Sequence, residues 1–280
     1  MMPLNPYIKI LRPLNASLSI ISVLISAHLL DLYFVSAELI LACLVVFLFT
    51  GGANIVNDLF DYRIDSVNRP ERPLPSGKIK PKAARIYAFI LFCLGSAAAI
   101  QLPVIAAVIA LILVLPMIVL YTPLLKRIPL AGNLIIAGIL GSVFIFAEAA
   151  LTAEIGQLWI PAGLAFGLTL IRELVKDMQD IPGDSKNSIL TFPVRFGFRN
   201  SLMLATGFTI LLCVLSPLPY VMNLYGIFYL LALIFGVEVP LIYSIFYLWE
   251  NPTSTASGKI SGVLKLTTIA GIFVIFISKF

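Results

Sequence analysis

Apolar residues fill most of the chain in long runs, and short polar segments separate these runs. A helix needs about 20 such residues to cross the roughly 30 Å of hydrocarbon in a bilayer. We therefore predict an all-α integral membrane protein with nine transmembrane helices, at about residues 14–32, 36–56, 83–100, 102–121, 131–150, 157–176, 200–217, 221–249 and 260–279. The N-terminal segment lacks the cleavage pattern of a signal peptide, so the first helix is expected to stay.

The composition agrees with a membrane protein, since 60% of the residues are apolar, 12% are charged and the mean hydropathy is +1.03. The net charge of +5 has a simple explanation in membrane orientation. With the N-terminus inside, all 19 Lys and Arg residues except Lys279 fall on the inner face, as the positive-inside rule expects. We predict a multi-pass protein of the cell membrane, with a cytoplasmic N-terminus, cytoplasmic functional loops and no nucleic-acid partner.

An acidic spacing occurs twice in the chain. Asp58-x2-Asp61-x3-Asp65 recurs as Asp177-x2-Asp180-x3-Asp184. Each copy follows an apolar stretch at its cytoplasmic end, and the two stretches, the second and the sixth, point in the same direction. This arrangement predicts one domain over residues 1–280 with a parallel internal repeat, whose copies at 58–65 and 177–184 face a central cavity.

Both copies offer oxygen ligands in helical register. Positions three, four and seven residues apart share one helix face, and we expect Pro182 and Gly183 to end the sixth helix and to place Asp184 on a loop. Carboxylate and amide oxygens without nearby His or Cys favour Mg²⁺. The predicted metal ligands are Asn57, Asp58, Asp61, Asp65, Asp177, Asp180 and Asp184.

Basic residues flank the acidic copies, as a metal-bound diphosphate requires. These residues are Arg12, Arg63, Arg69, Arg72, Lys78, Lys126 and Lys176. A diphosphate at the membrane face above apolar helices indicates a polyprenyl diphosphate, whose departing diphosphate the metal and cations would stabilise. An ion or proton pathway, or a plain polar rim, is the alternative for such intramembrane acids.

The two motifs resemble those of the UbiA superfamily of membrane prenyltransferases, which read NxxxDxxxD and DxxxD. Here they are Asn57-x3-Asp61-x3-Asp65 and Asp180-x3-Asp184. The resemblance implies that Asn57, Asp61, Asp180 and Asp184 hold Mg²⁺ directly. It implies supporting or second-metal roles for the remaining acids of the spacing, Asp65 and Asp177.

Other segments carry the same resemblance. Arg12 and Asn15 in LRPLN resemble a first-helix signature and join the predicted diphosphate-binding residues, while RPLPSGK from Arg72 resembles the loop after the first motif. Tyr121 and Lys126 in YTPLLKR resemble the Tyr and Lys near the diphosphate and the reacting carbon. The residues expected to carry catalysis are Asp61, Asp65, Asp180, Tyr121 and Lys126.

We hypothesise distinct roles for these groups. Arg72, Lys126 and Lys176 would neutralise the diphosphate, and the Tyr121 ring would steady the allylic cation. A motif aspartate or the departing diphosphate would take the acceptor proton.

The acceptor is indicated by the form of the second motif, RELVKDMQDIPGD, and by YTPLLKRIPLAGN. These most resemble the branch of the superfamily that moves a geranylgeranyl group from geranylgeranyl diphosphate to geranylgeranylglyceryl phosphate in archaeal ether-lipid synthesis. Such an acceptor needs cations for its own phosphate, for which the candidates are Lys78, Lys126, Arg127 and Arg172. The alternatives are an aromatic acceptor such as 4-hydroxybenzoate and, from another class, an ion-coupled secondary transporter.

Overall fold

The structure, a computed structural model, describes residues 5–122, 124–187 and 189–279, without the side chains of residues 64, 67, 68 and 127. Every regular element among the described residues is a helix. Its α-helices are α1 Pro6–Lys9, α2 Pro13–Leu29, α3 Ala37–Phe60, α4 Tyr62–Asn68, α5 Pro81–Ala99, α6 Val104–Val108, α7 Leu115–Tyr121, α8 Ala131–Thr152, α9 Trp159–Lys186, α10 Phe192–Phe196, α11 Phe198–Leu215, α12 Leu218–Val221, α13 Ile227–Leu233, α14 Val239–Glu250 and α15 Ser254–Ile277.

Local sequence explains where the longer helices begin. Pro13 and Pro81 stand at the start of α2 and α5, where the missing N–H costs nothing. Ser36 caps α3 by accepting a hydrogen bond from the Leu39 N–H at 3.1 Å, and Thr253 caps α15 by accepting one from the Ala256 N–H at 3.1 Å. These caps satisfy backbone donors that the first helical turn leaves unpaired.

Two apolar stretches that the sequence predicts as single helices contain a π segment. Ile109–Val114 joins α6 to α7, and Ile234–Glu238 joins α13 to α14. A proline follows each segment closely, Pro116 in one case and Pro240 in the other. Because proline lacks an N–H, the carbonyl four residues earlier loses its α-helical partner, and a wider turn accommodates the loss.

Most of the long helices could cross a membrane. Within the described residues, seven helical segments are long and apolar enough to cross a bilayer: Ala37–Phe60, Pro81–Ala99, Val104–Tyr121, Ala131–Thr152, Phe198–Val221, Ile227–Glu250 and Ser254–Ile277. The apolar helix α2 is shorter, at 17 residues. Helix α9 is longer, at 28 residues, but its C-terminal part carries the second acidic motif.

The chain divides into two compact units. The first contains α1–α7 together with Val143–Gln157, and the second contains Leu124–Ser142 together with α9–α15. The first unit therefore holds the acidic motif at 58–65, and the second holds the motif at 177–184.

Reciprocal small-to-large packing joins α3 to α5 in the first unit. A Cβ at Gly52 of α3 would lie 2.6 Å from the Phe92 ring of α5, and a Cβ at Gly95 of α5 would lie 2.6 Å from the Phe49 ring of α3. The two rings meet edge to face with centroids 6.1 Å apart. This close contact lies less than two turns before Asp58 and so fixes the end of α3 that bears the first motif.

The core of the second unit surrounds α9, which α11 and α15 pack against. Small residues again allow the approach, because Cβ atoms at Gly167 and Gly271 would lie 3.0 Å from Leu212 and 3.1 Å from Leu168. The buried side chains of α9 in this core are Leu168, Ile171, Leu174, Val175 and Met178. They anchor the helix that carries the second motif.

Helix α9 corrects one prediction. Pro182 and Gly183 do not end the helix, which continues to Lys186, and Asp184 is helical rather than on a loop. Proline removes one backbone N–H donor from the helix, but its φ angle is compatible with a helix. At the C-terminus of the helix, the Asn187 side chain donates from Nδ2 to the Gly183 carbonyl at 2.8 Å.

Asp61 interrupts the helical register that the sequence predicts for the first motif. Helix α3 ends at Phe60, Asp61 has φ −82° and ψ 5°, and α4 begins at Tyr62. Asp65 therefore lies on the short helix α4 and does not continue the second apolar helix. Aspartate is unfavourable near the negative end of a helix dipole and favours turns, which accounts for a break at this residue.

Changing Gly141 to Ala is expected to destabilise the protein by about 1–3 kcal/mol through overpacking. A Cβ there would lie 2.8 Å from the Ala162 carbonyl oxygen and 3.2 Å from the Phe166 Cβ. Neither atom is a flexible side-chain end. Thermal unfolding in detergent should show a lower melting temperature.

Gly138, one turn earlier in α8, provides the matched control because a Cβ there meets nothing within 4 Å. Gly138→Ala should be neutral or slightly stabilising, since alanine has the higher helix propensity. Equal melting temperatures for the two variants would show that α8 does not pack closely on α9 at Gly141.

Candidate active site

Two arginines meet the carboxylates of the first motif. The Arg72 Nη1 donates to Asp65 Oδ2 at 2.5 Å and to Asp58 Oδ1 at 3.2 Å, and the Arg12 Nη2 also donates to Asp58 Oδ1. Asp58 is 3% exposed and Asp65 is 5% exposed. Buried carboxylates need such compensation, and the pairs hold both guanidinium groups at the first motif.

Arg12, which pairs with Asp58, has a strained backbone conformation. Arg12 precedes α2 with φ 51° and ψ 71°, in the left-handed region. That conformation costs a non-glycine residue about 1 kcal/mol. The Asn54 side chain of α3 donates to the Leu11 carbonyl at 2.9 Å, so the segment before Arg12 is held against the helix that carries Asp58.

Asn57, the first residue of the NxxxDxxxD motif, has a partner from the end of α7. The Thr122 hydroxyl donates to the Asn57 Oδ1. Thr122 is buried and directly follows Tyr121. The contact places the end of α7 beside the first motif, and it orients the Asn57 amide.

The second motif lies on one continuous helix. Asp177, Asp180 and Asp184 are three and four residues apart on α9 and therefore share a face. Two of them have hydrogen-bond donors: the Asn133 Nδ2 donates to Asp177 Oδ2 at 2.8 Å, and the Thr191 Oγ1 donates to Asp184 Oδ2 at 3.3 Å. Because α9 does not end at Pro182, all three carboxylates keep one helical register.

A sequence model of the UbiA prenyltransferase family matches residues 19–269, which is most of the chain. The chain belongs to the UbiA prenyltransferase family. The fold agrees with this membership, and the apolar helices make this UbiA family member a multi-pass membrane protein.

Similar proteins cover nearly the whole length. A digeranylgeranylglyceryl phosphate synthase of Methanosphaera stadtmanae is 36% identical over 275 residues, which are 98% of this chain and 98% of that protein. A solved structure described as digeranylgeranylglyceryl phosphate synthase in membranes is 31% identical, has a TM-score of 0.78 and covers 99% of both chains.

A more distant UbiA homolog shows the same fold. It comes from Archaeoglobus fulgidus, was solved with GPP and Mg²⁺, and has a TM-score of 0.70 at 17% identity, with 96% of this chain and 99% of that chain covered.

The two units place the predicted site residues of this UbiA family member as follows. The first unit brings together Arg12, Asp58, Asp65 and Arg72 through ion pairs. Asp61 lies between α3 and α4, and Tyr121 is half-buried at the end of α7. The remaining predicted diphosphate ligands of this unit are exposed, namely Asn15, Arg63, Arg69 and Lys78.

In the second unit, Asp180 and Asp184 are half-buried on α9. The Lys176 Nζ donates to Glu173 Oε2 at 3.1 Å, one turn before Asp180. Lys126 is half-buried in a 3₁₀ turn, Leu125–Arg127, and the side chain of Arg127 lies outside the described ones.

Sequence reasoning did not single out the hydrogen-bonding partners Thr122, Asn133 and Thr191. Thr122 and Asn133 lie 65 and 44 positions from their partners in sequence, so those contacts depend on tertiary packing. Thr191 lies seven positions after Asp184, beyond the end of α9. Asn133 had one signal, because an amide near the start of an otherwise apolar membrane helix must find a partner.

The oxygen donors of the two motifs suit Mg²⁺. Among the side chains described, no three His, Cys, Asp or Glu residues already form a metal-binding group. Mg²⁺ does not require such a cage, since it usually takes one or two carboxylates and completes its shell with water and substrate phosphate. Asn57 with Asp61 and Asp180 with Asp184 fit this requirement, and the direct ligation of metal by these residues stays a prediction.

Asn133→Ala is expected to raise the Mg²⁺ concentration for half-maximal activity by about tenfold, because loss of a residue that orients a metal ligand typically costs 10–100-fold in affinity. The amide donor to Asp177 would be lost. A Mg²⁺ titration of prenyl-transfer rate measures the effect. Asn200→Ala removes an exposed amide of α11 and should leave the titration unchanged. Identical curves for both variants would show that Asn133 does not support the metal site.

Proposed function

We propose that this chain is a Mg²⁺-dependent prenyltransferase that moves a geranylgeranyl group from geranylgeranyl diphosphate to geranylgeranylglyceryl phosphate. The products are digeranylgeranylglyceryl phosphate and diphosphate. The observation that carries the proposal is the 36% identity to a protein of this activity over 98% of both chains. Such coverage gives nearly the whole relative a counterpart here.

The proposed topology has nine spans. The seven long apolar segments supply seven of them, and α2 and α9 supply the other two. The charge distribution supports a cytoplasmic N-terminus, because every Lys and Arg except Lys279 then belongs to the inner face. The repeated acidic spacing supports one domain in which both motifs line a common cavity at that face.

The proposed donor site uses both motifs. Bound Mg²⁺ would neutralise charge on the departing diphosphate, and Asn57, Asp61, Asp180 and Asp184 would hold it, with Asp58, Asp65 and Asp177 in support. Arg72 would contact the diphosphate while its pairs with Asp58 and Asp65 fix its position. A guanidinium has five N–H donors, which is more than these contacts use.

Each of the other predicted site residues has one role in the proposed reaction. Lys126 and Lys176 would add positive charge at the diphosphate, with Arg12, Asn15, Arg63, Arg69 and Lys78 as further contacts. Tyr121, held near Asn57 through Thr122, would face the allylic cation with its ring. The glycerol hydroxyl would attack the allylic carbon and pass its proton to a motif aspartate or to the departing diphosphate.

The test is an assay of the purified protein in detergent with labelled geranylgeranyl diphosphate. Separate reactions contain geranylgeranylglyceryl phosphate or 4-hydroxybenzoate, each with Mg²⁺ or with a chelator. We expect label in the glycerol lipid alone, and only with Mg²⁺. Label in the aromatic acid would overturn the acceptor, and label in neither would overturn the prenyltransferase reaction.

A further inference from the structure

A second charged group lies on α9 before the acidic motif. Glu173 is buried, at 7% exposed, and its carboxylate accepts hydrogen bonds from the Arg172 Nη1 at 3.0 Å and from the Lys176 Nζ at 3.1 Å. Lys126 is close enough to interact electrostatically with the same carboxylate. The cations Arg172, Lys176 and Lys126 therefore lie near Glu173, and Asp177 also interacts electrostatically with Lys176.

Arg172 has an unfulfilled donor in this group. Its Nε is buried and, among the described residues, has no hydrogen-bond partner. A buried N–H without an acceptor is destabilising, and more so when the group is charged. Charged residues in membrane helices mark substrate or ion sites, where a ligand supplies the missing partner. An anionic oxygen ligand would satisfy the Nε.

The position of Arg172 indicates that this anionic ligand is not the diphosphate of the donor. Arg172 precedes Asp180 by eight residues, which is about 12 Å along a helix axis at 1.5 Å per residue. The axis at Arg172 thus lies two turns from the proposed metal ligand, toward the apolar part of α9. Glu173 holds the guanidinium through Nη1, so that Arg172 is pre-oriented rather than freely mobile in this region.

We propose that Arg172, positioned by Glu173, binds the phosphate group of the acceptor and so selects a phosphorylated glycerol lipid. This inference rests on the proposed function. It places Arg172 ahead of two other candidates for the acceptor phosphate, because Lys78 is exposed and Lys126 is assigned to the diphosphate. A planar guanidinium suits bidentate phosphate contact, for which lysine is a poor substitute.

The test compares two acceptors, geranylgeranylglyceryl phosphate and the same prenylglycerol without phosphate, in the wild type, Arg172→Gln and Arg172→Lys. Both variants should raise KM for the phosphorylated acceptor, and Arg172→Gln should raise it by about 10- to 100-fold, the loss of one charge-assisted contact. KM for geranylgeranyl diphosphate should change less than twofold. The activity of the wild type toward the unphosphorylated alcohol should be low, and Arg172→Gln should not reduce it further.

Arg199→Gln, on an exposed residue of α11, provides the matched control and should leave both KM values unchanged. The donor KM and the melting temperature show whether each variant is folded. A rise in donor KM equal to the rise in acceptor KM, or no change in either, would overturn the acceptor-phosphate site while leaving the proposed reaction intact. Absence of product with the wild type would instead overturn the proposed function.

Discussion

Replacing Asp180 with asparagine is expected to reduce prenyl transfer by about a hundred- to a thousand-fold, the range seen when one group that stabilises charge in a transition state is lost. Asn has nearly the same shape as Asp but lacks the negative charge that binds Mg²⁺. The loss should persist at saturating donor and acceptor, because the metal stabilises the departing diphosphate and does not merely hold the substrate. Steady-state rates over a Mg²⁺ titration measure it.

The same substitution at Asp61 should have a comparable effect, since Asp61 occupies the corresponding position of the first motif. Asp31→Asn provides the control. Asp31 is an exposed aspartate with φ 61°, a backbone conformation that asparagine adopts readily. Full turnover by Asp61→Asn or Asp180→Asn at saturating Mg²⁺ would refute the proposed metal role of that residue.

The helical membrane architecture could be predicted from the sequence because a bilayer permits few alternatives. Unsatisfied backbone groups are so costly in hydrocarbon that a long apolar run must be helical. The predicted stretches at 36–56, 83–100 and 131–150 agree with α3, α5 and α8 to within a few residues, except that α3 extends to Phe60. Proline was interpreted too strictly at Pro182, which is contained within α9. The stretches that contain Pro116 and Pro240 were predicted as single helices, and the π segments within them were not predicted.

The acidic motifs could also be located from the sequence, because their spacing repeats and matches a helical period. The side chains that contact the two motifs could not be predicted in this way. The spacing says nothing about whether a carboxylate meets metal or arginine, and the structure pairs Asp58 with both Arg12 and Arg72. Likewise, Asn133 lies 44 positions before Asp177, so no local pattern connects them. Such partners depend on helix packing, which sequence periodicity constrains only loosely.

The pairing of Asp58 gives it a role that differs from that of its neighbours in the motif. Asp58 stands one position after Asn57 and falls outside the NxxxDxxxD spacing. A carboxylate that already pairs with two guanidinium groups is a poor ligand for a further cation unless one arginine leaves. We therefore expect Asp58 to position Arg12 and Arg72 for the diphosphate rather than to hold Mg²⁺ directly.

Asp58→Asn should accordingly lower stability by about 2–4 kcal/mol, because removing one member of a buried ion pair leaves its partners uncompensated. It should also raise KM for geranylgeranyl diphosphate, by about tenfold if one charge-assisted contact is weakened. The Mg²⁺ concentration for half-maximal rate should stay unchanged. Thermal unfolding and a Mg²⁺ titration measure these effects separately.

Glu71→Gln is the matched control, since Glu71 is an exposed carboxylate adjacent to Arg72 and its loss should affect neither quantity. Asp58→Glu adds a second comparison: it restores the charge but shifts the carboxylate outward, so that it should recover stability only in part. A Mg²⁺ requirement that rises in Asp58→Asn without loss of stability would contradict the arginine-positioning role and would return Asp58 to the set of direct metal ligands. The distinction matters for the reaction, because a positioning aspartate tunes donor affinity, whereas a ligand controls the departure of the diphosphate.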